Sequence, residues 1–214
     1  MAACAGEAED RSGDALWCGG AGVKQILVAT HNAGKLREFG LLFAPLGYEA
    51  VGAGALGLTE PEETADSFEG NARLKAVAAA QASGMRALAD DSGLCVAALG
   101  GGPGVFSARY AAGDYPGAFA KVIAACAAAG EWRAWFVCAL CLAEQDGASA
   151  TYIGRVQGRI AEVPSGGGGF GYDPLFVPVG YAQSFAVLGD AVKGRISHRA
   201  RALAQVVKVL GAGG

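Results

Sequence analysis

Apolar and polar positions follow two different rhythms along this chain, and the switches between them mark its elements. KQILVAT reads as a buried strand. GKLREFGLLFAPLG follows as a helix, with Leu36, Phe39, Phe43 and Leu46 at spacings of three and four, the period of one helical face. Gly47 is its expected stop. LTEPEETADS then reads as an acid-rich loop, because Pro61 bars regular structure there. SFEGNARLKAVAAAQASG predicts a second helix ended by Gly84. MRALADDSGLCV reads as strand, turn, strand and runs into a glycine knot at 100–104. SARY is expected as a short helix or turn, DYPGAFAKVIAACAAAG as a third helix, and RAWFVCALCLAE with SATYIGRVQGRI as paired strands. SHRARALAQVVKVLG closes the pattern as a helix with Leu203, Val206, Val207 and Leu210 on one face. Strands and helices alternate without internal duplication, which predicts a mixed α/β domain over 23–211. Residues 1–22 are expected to form a flexible tail; they lack the apolar stretch of a secretory signal.

Composition narrows this picture. With 214 residues, 52% of them apolar, one domain with a substantial core is the simplest reading. Seventeen Lys plus Arg against 20 Asp plus Glu give a formal charge of −3, so no broad basic surface advertises nucleic acid or an anionic membrane. The longest apolar runs reach roughly 10 residues where a spanning helix needs about 20, so no membrane segment is expected. Cys138 and Cys141 have Cys-x-x-Cys spacing, but they lie in an apolar strand where a separation of three points them to opposite faces. They read as reduced core cysteines, and with His31 and His198 the only histidines, zinc ligands are scarce. Both features favour a reducing cytoplasm.

Four places could hold chemistry. The first is ILVATHNAGKLREF, where a strand, a small polar turn and a helix start expose backbone N–H groups and a positive dipole end, with Lys35 adding a full charge. It is not a Walker A loop: the first glycine is missing and Leu36 follows the lysine. The second comprises the acid pairs Glu62-Glu63, which reads as solvated loop, and Asp90-Asp91 at the end of an apolar strand, where oxygen ligands for a hard cation would be held rigidly. The third is Lys75, which interrupts a stripe of Phe68, Ala72 and Ala79 and must either snorkel out or reach a polar cleft. In the fourth, GGGGFGYDPLF and KGRISHRAR combine glycines that admit a close ligand, an aromatic face, and donors from Ser197, His198 and Arg199.

Taken in order, ATHNAGKLREF, EET, F-x-x-NA-x-LKA, ADDSGL, GGGPGVFSARYA, GGFGYDPLF and K-x-x-x-SHRARAL resemble the inosine triphosphate pyrophosphatase family, the noncanonical purine nucleoside triphosphate pyrophosphatases. The resemblance runs from about Val23 to Leu210. It implies an elongated mixed sheet flanked by helices, in two lobes with a nucleotide cleft between them, and a homodimer. It also implies hydrolysis of ITP, dITP or XTP to the monophosphate and pyrophosphate with Mg²⁺. By matching motif, Thr30, His31, Asn32, Ala33, Gly34 and Lys35 would hold the triphosphate and Lys75 would neutralise it. Asp91 would serve as metal ligand and base, Glu63 as second metal ligand, and Ser92 as a substrate contact. Phe170, with Gly171 and Tyr172, would stack on the purine, and Asp173, Lys193, His198 and Arg199 would line the base and sugar. The chain departs from the family pattern at Gly70, where members carry Glu before the Asn of the second helix. Glu69, one place earlier, is turned by about 100° and cannot substitute.

Overall fold

The computed structural model describes residues 24–212; the expected tail over 1–22 lies outside them. One six-stranded sheet organises the chain in the order β2-β1-β3-β4-β5-β6. Strand β1 (Lys24–Val28) enters helix α1 (Ala33–Phe43), and the parallel strand β2 (Tyr48–Gly52) returns beside it. Helix α2 (Phe68–Ser83) leads into the ten-residue strand β3 (Ala87–Val96). The short helix α3 (Ser107–Ala111) and helix α4 (Tyr115–Ala129) precede the long antiparallel pair β4 (Arg133–Ala143) and β5 (Ser149–Ile160). Strand β6 (Phe176–Pro178), helix α5 (Phe185–Ile196) and helix α6 (His198–Ala212) complete the fold. Parallel pairing of β1 with β2 and β3, and antiparallel pairing from β3 to β6, make the sheet mixed, as expected.

Alternation along β3 and β4 distributes the core. Ile26, Val28, Leu88 and Cys138 face Phe39 and Phe43 of α1 and Leu203 and Val206 of α6. Leu27, Ala87, Ala89 and Cys141 face the alanine stripe of α2. Cys138 and Cys141 thus sit on opposite faces, as their spacing implied. A third cluster, built from Leu94, Val96, Phe136, Phe176 and Phe185, packs under α4 at the far end of the sheet. Two glycines set close approaches: a Cβ on Gly93 would collide with the Gly104 carbonyl, and one on Gly154 would meet the His198 carbonyl and lie 2.5 Å from Ala202 N. The second contact brings the start of α6 directly onto β5.

Two expectations are corrected. ADDSG is no turn: β3 runs unbroken from Ala87 to Val96 because β4 pairs with it along the whole length, Ala87↔Ala143 to Val96↔Ala134. Leu46 does not join the face of α1; the helix ends at Phe43, a 3₁₀ turn follows, and Leu46 is exposed. Gly47 does stop the segment, in a left-handed conformation. The side chain of Leu210 lies outside the described residues, while Leu203 and Val206 are buried and Val207 packs against them.

Candidate active site

The site begins where β1 leaves the sheet. β1 pairs with β3 only at Leu27↔Ala87 and Val28↔Leu88. Ala29 then donates to the Leu88 carbonyl (2.8 Å), and the chain turns away into α1. Beyond that point β3 has an open edge, the kind of divergence where α/β sheets place ligands. Thr30 Oγ1 accepts from the Asn32 amide (3.2 Å), and Asn32 caps α1 by accepting from the Lys35 amide (3.0 Å). The positive end of the helix therefore faces that edge, and Lys35 Nζ stands 3.0 Å from Asp90 Oδ1.

Strand alternation separates Asp90 from Asp91. Asp90, fully buried, faces α1 and α6: Arg199 Nε donates to it at 3.2 Å and Ser92 Oγ at 2.7 Å. Burial disfavours its charge, but Lys35, Arg199 and Lys75 outweigh that and hold its carboxyl far below the usual range. Asp91 faces α2. Asn71 Nδ2 donates to its Oδ2 (3.2 Å), and Lys75 Nζ lies 3.7 Å from its Oδ1 and 2.6 Å from Glu63 Oε1. Burial pushes the Asp91 carboxyl up to about 6 against the pull of Lys75, with Glu63 adding repulsion. The Lys75 ammonium is also buried, but Asp90, Asp91 and Glu63 hold its pKa above the ordinary lysine value. Lys75 thus reaches a polar cleft instead of snorkelling, and Glu63 is no solvated loop residue, whereas Glu62 is exposed.

The opposite wall comes from the glycine loop and the α5–α6 junction. Asp173 Oδ2 accepts from the Phe170 amide (2.8 Å) and from Lys193 Nζ (2.8 Å), fixing the loop to α5. The Phe170 ring lies 4.4 Å from Lys193 Nζ and 5.2 Å from the Arg199 guanidinium, measured to its centroid. Ser197, His198 and Arg199 turn out not to be equivalent donors. Ser197 Oγ is spent as a cap, accepting from the Ala200 amide, and Arg199 is committed to Asp90, Ser92 and, through Nη1 at 2.8 Å, Glu38. His198 stacks on Phe136 (centroids 4.7 Å, 11°), with Nδ1 buried and unpartnered. Burial, with Arg199 and Lys193 nearby, lowers its pKa well below the usual value, so the ring is neutral.

A single cleft of about 120 Å³ joins these walls. Asn32, Lys35, Glu63, Asp91, Ser92, Phe170, Gly171, Tyr172, Asp173, Lys193, His198 and Arg199 all line it. Lys75 touches it through Asp91 and Glu63. Thr30, Ala33 and Gly34 shape the βα turn behind it, Gly34 lying against Phe170, while the exposed His31 points instead towards Gly54. Phe170 and Lys193 also border a larger, mostly apolar cavity of about 560 Å³ between α1 and α5. Four residues of the site were missed from the sequence: Glu38, Asn71, Asp90 as an anchor, and Arg109, which donates to the Glu63 carbonyl. Glu38 had a usable signal, since it follows Lys35 by one helical turn on the same face.

Charge bookkeeping in the cleft is informative. Lys35, Lys75, Arg109, Lys193 and Arg199 face Glu38, Glu63, Asp90, Asp91 and Asp173, five cations already matched by five carboxylates. A polyphosphate arriving here needs further positive charge. The neighbouring carboxylates of Glu63 and Asp91 fit a hard divalent cation, and Mg²⁺ in particular is commonly held by one or two carboxylates together with substrate phosphates.

The sequence profile of the Ham1 family matches residues 26–209. The chain belongs to the Ham1 family. A dITP/XTP pyrophosphatase of Gluconobacter oxydans is 49% identical over 181 residues, 84% of this chain and 87% of that protein. One from Rhodopseudomonas palustris is 45% identical, covering 88% and 97%. Among solved structures, the Staphylococcus aureus Ham1 protein superposes with TM-score 0.78 at 36% identity, covering 89% of this chain and all of the other. A dITP/XTP pyrophosphatase of Mycobacterium abscessus gives 0.67 at 40%, covering 85% and 98%. Within this Ham1 fold, Gly70 faces the loop: a Cβ there would come within 2.6 Å of Ala65 Cβ and 3.0 Å of Ser67 Oγ, while Glu69 is exposed. The acid-rich side of the cleft is therefore supplied by Glu63 and Asp91, with Asn71 orienting the second.

Proposed function

We propose that this Ham1 protein hydrolyses the noncanonical purine nucleotides dITP, ITP and XTP to the monophosphate and pyrophosphate, clearing them before they enter DNA or RNA. The observation that carries this reading is the one cleft that places Lys35, Asp91 and Ser92 opposite Phe170, Lys193 and His198. Lys35 and Lys75 neutralise the phosphate chain as charge builds on the leaving group. Asp91 is ionised at neutral pH and basic enough to orient a water molecule and take its proton. Glu63 and Asp91 would hold Mg²⁺, which when bound offsets phosphate charge and polarises the phosphoryl group.

Selectivity falls to the ring end. Neutral His198 offers one donor and one acceptor, and Arg199 retains two of its five N–H groups beyond its three protein contacts. A 6-oxo purine satisfies a fixed donor where adenine presents an amino group, and each buried donor left unpaired costs about 1–3 kcal/mol. Pyrophosphate release from dITP and dATP in the presence of Mg²⁺ tests this: kcat/KM should favour dITP by about 100-fold or more, because hydrogen-bonding sites discriminate strongly against mismatched partners. Equal values would overturn the selectivity.

The same reading has the protein acting in the cytoplasm and as a homodimer. Val179, at 73% exposure, and Tyr181 beside the edge strand β6 offer apolar surface for a second copy. Sedimentation at the mass of one chain would remove the dimer from the proposal.

A further inference from the structure

Glu63 sits on a segment with little support of its own. Residues 59–66 make no backbone-to-backbone hydrogen bonds among the described residues. Side chains from elsewhere hold them: Asn71 Oδ1 accepts from the Ala65 amide (3.0 Å), Lys75 Nζ reaches Glu63 Oε1, and Arg109 Nη2 donates to the Glu63 carbonyl at 3.0 Å while standing 3.7 Å from Oε2. Lys75 and Arg109 grip the residue from different elements, α2 and α3. Lys75 is shared with Asp91. Arg109 instead holds main chain, a grip that a ligand arriving at the carboxylate has no need to break.

The base of Arg109 is firm. Its guanidinium lies over the Phe106 ring at 5.4 Å. Two residues before it, Ser107 Oγ accepts from the Leu94 amide (2.9 Å) and donates to the Gly104 carbonyl (2.6 Å), and the Ser107 carbonyl accepts from Tyr172 Oη (3.0 Å). A continuous link therefore runs from β3, the strand of Asp91, through α3 to the Glu63 loop. Without it, Glu60, Glu62 and Glu63 would be free to move away from the like charge of Asp91.

We infer that Arg109 is a positioning residue: it straps the Glu63 loop to the β3 side of the cleft and presets the Glu63–Asp91 pair before the metal nucleotide binds. The inference rests on the proposed reading of these two carboxylates, and its test separates the two. Glutamate-specific proteolysis of the metal-free full-length protein reports the strap alone, since the loop carries three glutamates. Arg109→Ala should raise cleavage within residues 60–63 by about tenfold, and Arg109→Lys should restore part of the protection. Arg133→Ala, which removes only the exposed pair with Glu131, serves as control and should leave cleavage unchanged. In pyrophosphate assays on dITP, Arg109→Ala should raise the Mg²⁺ concentration for half-maximal rate threefold or more. Cleavage at the wild-type rate would overturn the inference. So would a raised KM for dITP with an unshifted Mg²⁺ requirement, which would make Arg109 a direct phosphate contact. Failure of the wild type to release pyrophosphate would instead sink the functional reading, while the proteolysis result would still judge the strap.

Discussion

Asp91→Asn is expected to slow pyrophosphate release from dITP by about 100-fold or more, the usual range for loss of a general base, and at the same time to stabilise the metal-free protein. Both effects come from one placement. Burial lifts the Asp91 carboxyl to about 6, so the fold favours its neutral form and tolerates its charge. A carboxylate whose folded pKa lies above its unfolded value lowers stability above the folded pKa, and this cost fades as pH falls towards the ordinary value near 4. Urea unfolding in a chelator should therefore show the variant more stable by about 1–3 kcal/mol at pH 7.5, a gain that shrinks between pH 6 and 4. Wild-type kcat/KM should fall with the same group as pH drops through about 6. An unchanged rate in the variant would remove Asp91 from the chemistry, and equal stabilities at pH 7.5 would show that its charge carries no strain.

Much of this site could be read from the sequence because local pattern and chemistry coincided. Lys75 stood out by breaking an apolar stripe, and the strand–turn–helix at 26–39 declared its exposed N–H groups. What escaped depended on distant partners. Asp, Ser and Gly favour turns locally, so ADDSG looked like one; pairing of β3 with β4 over its full length overrides that preference. Strand β6 has only three residues, and α5 is kinked at Gly189 (φ 75°), so neither shows a clean period. Glu38 and Arg199 lie 161 residues apart, and Arg109 is 46 from Glu63; no local signal joins either pair. Reading Asp90 and Asp91 as one acidic cluster failed for a simpler reason. Adjacent residues of a strand point to opposite faces, so the two carboxylates serve different neighbours.

That division predicts opposite outcomes for neighbouring substitutions. Asp90→Asn removes a fully buried charge while leaving Arg199 and Lys35 beside it, and breaking a buried pair from one side costs about 3–5 kcal/mol. Arg199 keeps Glu38 and Lys35 is partly exposed, which places the expected loss towards the lower end of that range. The pH dependence distinguishes the two sites. The Asp90 carboxyl is held far below its usual range by Lys35 and Arg199 in spite of burial, so its contribution is fully present above the unfolded value near 4 and declines only below it. Urea unfolding should show the Asp90→Asn deficit constant from pH 7.5 to about 5, whereas the Asp91→Asn gain already shrinks below pH 6. Because Asp90 anchors Arg199 beside Phe170 and His198, the variant should also bind dITP more weakly, seen as a raised KM. A deficit below about 1 kcal/mol would mean that Glu38 alone satisfies Arg199, and the ordering of the base end of the cleft would then have to be assigned to α1 instead of β3.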